Sequence, residues 1–252
     1  MKKISFPLVL LFLLLGCKTN KKVVLQQLIE SDFTIAFGSC NKSNVNNLLW
    51  DDVLATDPDV WIWGGDIIYA DTDDMQKLRA MYLDQDRVEE YALLKSKVPV
   101  IGTWDDHDYG LNDGGVEFKE KKASQQEFLD FMDVPKDSPR RSREGVYASH
   151  DYTTSEGSIK VLVLDTRFFR TALTPDRETS KRNKPNSYGE GTVLGTAQWA
   201  WLQEGLNSSR ADFNIIVSSI QFLSNEHGFE CWGNFPHEID HLKNLIVSSR
   251  AK

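Results

Sequence analysis

The run Val60-Trp61-Ile62-Trp63-Gly64-Gly65-Asp66-Ile67-Ile68-Tyr69-Ala70-Asp71 constrains this chain more than any other stretch. An apolar, β-branched and aromatic segment stops at two glycines, and a carboxylate and a phenol follow at Asp-x-x-Tyr spacing. Such a segment predicts a strand buried on both faces of a covered sheet. The glycines let the backbone turn tightly where the strand ends. The turn presents Asp66 and Tyr69 together, and a carboxylate beside a phenolate suits a hard, highly charged cation. The plainer alternative is an ordinary strand-to-helix turn with Asp66 as a helix N-cap.

Three further segments repeat the pattern. Phe33-Thr34-Ile35-Ala36-Phe37-Gly38-Ser39-Cys40-Asn41 alternates apolar residues and ends at Gly-Ser-Cys, a strand delivering a thiol to a loop. The alternative for Cys40 is a small buried hydrophobe. Val98-Pro99-Val100-Ile101-Gly102-Thr103-Trp104 runs into Asp105-Asp106-His107-Asp108, where three carboxylates repel one another unless solvent or a cation offsets them. Ile159-Lys160-Val161-Leu162-Val163-Leu164 closes on Asp165-Thr166-Arg167. Four strands that each end in a polar cluster predict one site gathered at one edge of a sheet.

These segments, in this order, resemble the PhoD-like alkaline phosphatase family of the calcineurin-like metallophosphatase superfamily. The matching residues are Phe37-Gly38-Ser39-Cys40, Gly65-Asp66-Ile67-Ile68-Tyr69-Ala70-Asp71, Trp104 to Gly110 and Leu164-Asp165-Thr166-Arg167. Leu194 to Leu202, Ser218-Ser219-Ile220-Gln221 and Trp232 to Glu238 extend the match, so that it runs from about Phe33 onward. The resemblance implies an α/β (α+β) fold, a two-sheet β-sandwich flanked by helices, with a metal site at the carboxyl ends of the strands. It implies hydrolysis of a small phosphoester by attack of a metal-activated water.

By the same resemblance Asp66 bridges two cations, Cys40 and Tyr69 bind one of them, a ferric iron, and Asp106 binds a second, divalent ion, calcium. Sulfur and phenolate ligands suit a strongly Lewis-acidic metal, and oxygen-only ligands suit a harder divalent ion. His107 stands where the family has its proton donor near the leaving group. Arg167 is expected to clamp the phosphate, since its planar fork meets two oxygens at once; a surface salt bridge is its alternative. Asp71, Asp105, Asp108 and Asn112 are supporting groups or further calcium ligands.

Members of the family continue into another strand and a loop containing Gly-Asp-x-His. The sequence ends at Lys252 and contains no such motif, so the last strand and ligand loop are expected to be missing, through fragmentation or through a shortened product. A non-catalytic envelope lipoprotein with a degenerate metallophosphatase fold is therefore the alternative function. The resemblance puts the loop Glu226 to Phe235 over the substrate side, with His227 either touching substrate or solvated. His237 and His241 have a metal-binding i,i+4 spacing but lack a third ligand nearby and read as surface residues. Cys231 reads as a free or buried thiol.

At the N-terminus, Met1-Lys2-Lys3 precedes an apolar core from Phe6 to Leu15, too short for a bilayer span, which needs about 20 residues. Residues 1–17 therefore read as a secretory signal. Leu14-Leu15-Gly16-Cys17 resembles a bacterial lipobox, which implies lipidation of Cys17 and an anchor in a membrane facing the periplasm or cell exterior. An unlipidated signal is the alternative. Residues 18–30 are a polar tether and 31–252 one domain.

The net charge of −8 disfavours non-specific nucleic-acid binding. A monomer that draws an anionic phosphoester through metal ions and local arginine is expected. Three cysteines, one lipidated and one a ligand, leave no pair for a disulfide despite export. Arg140-Arg141-Ser142-Arg143 reads as a solvated turn, or as a phosphate-attracting rim. Pro175 to Gly191 reads as a long surface loop. Leu194 to Leu206 reads as a helix with Trp199 and Leu202 toward the core.

Overall fold

The computed structural model describes residues 31–252 apart from 43, 44, 46, 250 and 252. The signal segment, Cys17 and the tether fall outside the described residues.

Strand β1 (Ile35–Gly38) is followed by helix α1 (Trp50–Ala55), and β2 (Val60–Gly64) by helices α2 (Met75–Asp86) and α3 (Glu89–Lys97). Strand β3 (Val100–Thr103) leads into the one-turn helix α4 (Asp106–Tyr109) and then α5 (Lys121–Phe131). The three strands pair in parallel in the order β1-β2-β3, with Gly38 opposite Trp63 and Gly64 opposite Thr103. Their carboxyl ends therefore lie side by side.

The continuous apolar run of β2 has a direct explanation. Trp61 and Trp63 pack with Trp50, Tyr91 and Leu94 on the helix side. Val60 and Ile62 join Ile101, Val161 and Val163 on the other. A strand covered on both faces needs no polar alternation. The Trp63 indole N–H also donates to the Tyr91 hydroxyl at 3.1 Å, so its polar atom is satisfied in the core.

A second sheet contains β4 (Ala148–Thr153), β5 (Ser158–Val163) and β8 (Phe213–Val217) in the order β4-β5-β8. Strand β4 is antiparallel to β5, whereas β8 is parallel to it. Helices α6 (Gly195–Ser208) and α7 (Pro236–Ser248) contribute Leu202, Leu206, Leu242 and Leu245 to a cluster under this sheet. The fold is thus mixed α/β.

Several local expectations shift. The Pro175–Gly191 loop contains a two-residue ladder between β6 (Thr174–Pro175) and β7 (Asn183–Lys184). His241 stacks on Trp199 at 4.1 Å, and His237 Nε2 lies 3.2 Å from the Gly191 carbonyl, so both surface histidines are partnered. The Arg140–Arg143 turn is not merely solvated. Arg140 donates to the Val146 carbonyl, Arg141 to the Pro135 and Val134 carbonyls, and Arg143 to the Tyr147 carbonyl. These guanidinium groups tie the chain leading into β4 to the end of α5.

Candidate metal centre

Because β1, β2 and β3 end together, the residues after them converge: Cys40, Asp66 and the Asp105–Asp108 turn. Gly65 lets two of these loops touch. Its φ is +101°, and a Cβ there would stand 2.5 Å from the Asp105 Cβ. Cys40 and Asp66 are themselves held in left-handed backbone, φ +56° and +52°. Non-glycine residues rarely adopt it, at a cost of about 1–3 kcal/mol, and such strain gathers at functional sites. Here the loops brace each other. The Asn41 N–H donates to the Asp66 carbonyl at 2.8 Å, and the Asn41 side-chain amide donates to the Ile67 carbonyl and to Gln85.

Asp108 is fully buried beneath this junction. It accepts backbone N–H groups from Asp66 (3.2 Å), Ile67 (3.1 Å) and Asp105 (2.6 Å). Burial, with Asp66 adding, drives its pKa well above the usual carboxylate value. Asp165 acts similarly one layer deeper. It accepts from the Trp104 indole and from the backbone N–H groups of Val146, Arg167 and Phe168, each at 2.9 Å.

Above that scaffold, Asp66, Asp106 and His107 each place a ligand-type atom within 4.8 Å of the others. Cys40 Sγ lies 3.7 Å from Asp66 Oδ2, and both groups are close enough to the Tyr69 phenol to act on its ionisation. Burial first, then Asp105 and Asp106, pushes the Asp66 pKa up to about 6. Asp66 Oδ1 is buried and has no hydrogen-bond partner among the described residues. Burial and the neighbouring Asp66 also raise the Tyr69 phenol. One Asp66 oxygen is left without a donor while the other lies against the Cys40 thiol, with the Asp106 carboxylate and His107 imidazole within reach, a set of atoms that can coordinate a cation. The residues present fit a metal ion.

Asp106 is pushed up by burial but pulled below its ordinary value by Arg167 and the Asp113 N–H, which donates to Oδ2 at 2.7 Å. His107 Nδ1 sits 2.8 Å from Asp71, and its ring lies 4.2 Å from the Tyr69 ring. Burial lowers the imidazole pKa, yet Asp71, Asp106 and Asp66 outweigh it and the net shift is upward. With Nδ1 committed to Asp71, Nε2 is the nitrogen left for chemistry.

Arg167, expected to grip a phosphate, is 1 % exposed and its fork is already engaged. It contacts Asp105 through Nε at 2.6 Å and through Nη2, and Glu230 through Nη1 at 2.5 Å. Glu230 also pairs with the buried Arg170 at 2.8 Å. The surface salt bridge is excluded by burial. Glu230 and Arg170 were not singled out from the sequence; the only signal for Glu230 was its place in the loop set over the substrate side. Asn112 is exposed, and its neighbour Asp113 meets Asp106 instead. An open cleft of about 670 Å³ lies over the centre, bordered by Cys40, Asp105, Asp106, Arg167, Ser219, His227 and Glu230.

The solved structure of PhoD is similar to this fold, with a TM-score of 0.69 at 21% identity over 86% of this chain. The match covers 49% of the PhoD chain, so this chain spans about half of that protein's length. No curated protein matches the chain. A family model described as PhoD-like phosphatase matches residues 35–238, which include Cys40, Asp66, Tyr69, Asp106, His107 and Arg167. The chain belongs to the PhoD-like phosphatase family.

Proposed function

We propose that the chain is a metal-dependent phosphoric ester hydrolase acting on phosphomonoesters or phosphodiesters. The observation that carries this reading is the buried, unpartnered Asp66 carboxylate oxygen amid Cys40, Tyr69 and Asp106. Those four residues would hold the metal, with sulfur and phenolate favouring ferric iron and the carboxylates favouring a divalent ion such as calcium. Metal bound there supplies a water acidified from a pKa of about 15.7 toward 7 and a screen for the phosphate charge.

The chain's own residues do the rest. His107, oriented through Nδ1 by Asp71, presents Nε2 to the leaving-group oxygen, and its raised pKa keeps a proton there to donate. Asp108 holds the Asp66 backbone in place from below. Arg167 keeps Asp105 and Glu230 at the cleft wall and contributes positive charge. Direct grip of a phosphate by Arg167 requires a phosphate oxygen to replace Glu230.

The finer fold and placement belong to the same reading. The shared cluster of Val60, Ile62, Ile101, Val161 and Val163 supports a two-sheet sandwich. The sequence of residues 1–17 supports export with lipid attachment at Cys17. Hydrolysis of p-nitrophenyl phosphate and bis-p-nitrophenyl phosphate tests the activity. Chelation abolishes turnover, and Asp66→Asn or His107→Ala lowers it at least ~10²-fold, the scale of general acid–base loss. Unchanged turnover in both variants sinks these roles.

A further inference from the structure

Arg167 and Glu230 both border the open cleft over the centre, Arg167 from the chain just past β5 and Glu230 from the loop before α7. The Arg167 fork is held in two ways. Nε and Nη2 lie on Asp105, the first residue of the Asp105–Asp108 turn, with Nε at 2.6 Å. Nη1 meets the Gly114 carbonyl at 3.3 Å and Glu230 Oε2 at 2.5 Å. One edge of the planar guanidinium is thus fixed beside the centre, and Nη1 shares its position with a loop carboxylate.

Glu230 is the less firmly held member of the pair. Its side chain is 6 % exposed, and burial keeps its carboxyl above the ordinary value even with two arginines beside it. Glu230 Oε1 stands 2.8 Å from Arg170 Nε, yet neither atom makes a directed hydrogen bond among the described residues. That contact is one of charge alone. The loop is pinned on both sides of Glu230. The Gly228 carbonyl accepts the Arg182 and Asn183 N–H groups at 3.0 and 2.9 Å, and the Trp232 N–H donates to the Gln221 carbonyl at 2.9 Å. A change of partner at Glu230 is therefore a side-chain movement.

Two arginines lower the cost of such a change. A carboxylate that leaves Arg167 stays beside Arg170, so its charge is not stranded in the interior. Arg170 is fully buried and stays in place, because it also donates to the Thr171 carbonyl at 2.7 Å and to the Asp113 carbonyl.

We propose that Glu230 is an internal competitor for the phosphate site: it yields Arg167 Nη1 to a phosphate oxygen, remains on Arg170, and takes Nη1 back as phosphate leaves. The inference rests on the phosphoesterase reading and adds to it the residue that sets phosphate affinity and release. Charge-assisted contacts from a planar fork suit either anion, so the exchange swaps like for like at Nη1.

Calorimetric titration of the metal-loaded full chain with inorganic phosphate tests the competition without turnover. Glu230→Gln removes the competing charge and keeps its shape, and this variant binds phosphate at least ~10-fold tighter than the parent, the worth of one charge-assisted contact. Arg170→Gln acts the other way: a displaced Glu230 then lies unpaired, and phosphate binds at least ~10-fold more weakly. Equal or weaker binding in Glu230→Gln is what a purely structural ion pair gives, and it overturns the inference. Crystals of the unmodified chain soaked in phosphate decide the matter even if both variants fail to fold. Nη1 on a phosphate oxygen with Glu230 left on Arg170 is the expected result, and bound phosphate with Glu230 still on Nη1 overturns it while the phosphate site stands. Phosphate bound by neither the parent nor Glu230→Gln removes the phosphoesterase reading, and this inference with it.

Discussion

Asp108 holds Asp66 by its main chain. One of its oxygens accepts the Asp66 N–H at 3.2 Å and the other accepts the Ile67 N–H at 3.1 Å. A buried carboxylate thus fixes the left-handed turn that aims a second carboxylate at the cleft. The arrangement works because three backbone donors converge on Asp108 from two loops.

Replacing Asp108 by Ala orphans those three N–H groups. At about 1–3 kcal/mol for each buried donor left unmet, the loss is roughly 3 kcal/mol or more. Asp108→Asn retains an acceptor oxygen and loses less. Denaturant midpoints of the two variants check the ranking.

The metal-free protein has a pH signature at Asp66. Burial and the neighbouring Asp105 and Asp106 push its folded pKa up to about 6 from the ordinary 3.8, so between those values the folded state binds more protons than the unfolded one. Stability from this group therefore falls as pH rises through about 6. Asp66→Asn removes the charge. The metal-free variant is more stable than the parent at pH 8, and the advantage shrinks as pH drops below about 6. Thermal unfolding of both proteins across that range measures the difference.

His150 has the opposite sign. Burial, helped by Arg140, lowers its pKa from 6.5 to about 4. Below 6.5 the unfolded chain takes up a proton that the folded one refuses, so stability is lost as pH falls toward 4. His150→Leu flattens that part of the stability curve, read as the denaturation midpoint at pH 7 and pH 4.5.

Arg167 sits between Asp105 and Glu230 with almost no exposure. Arg167→Met strands Asp105, leaves Glu230 to Arg170 alone and costs about 3–5 kcal/mol, the usual result of breaking a buried pair from one side. Adding Glu230→Gln recovers part of the loss, so the double variant is less destabilised than the two single effects combined. Equilibrium unfolding of the three variants gives the coupling.

What was legible in the sequence follows from locality. Strand β2 announced itself because Trp61, Trp63, Val60 and Ile62 are all buried, and the meeting of Cys40, Asp66 and Asp106 follows from parallel strands ending together. The pairing of Arg167 with Glu230 left no trace in the sequence, because Glu230 is far along the chain and nothing periodic beside Arg167 marks it. Arg140 and Arg143 misled for a related reason: charged residues in a row look solvated, yet their donors reach the carbonyls of Val146 and Tyr147. Asp165 looked like a site residue, but its four contacts, to the Trp104 indole and three backbone N–H groups, make it a bracket inside the fold.

A chelator titration that follows bound metal and p-nitrophenyl phosphate turnover in the same samples is the most direct measurement. If the Asp66 centre is the catalytic one, turnover falls in proportion to metal removed, returns when metal is restored, and is absent at every point in Asp66→Asn. Turnover that persists in fully stripped protein, or metal bound to the chain with no turnover at any loading, contradicts a metal-dependent phosphoesterase at this site.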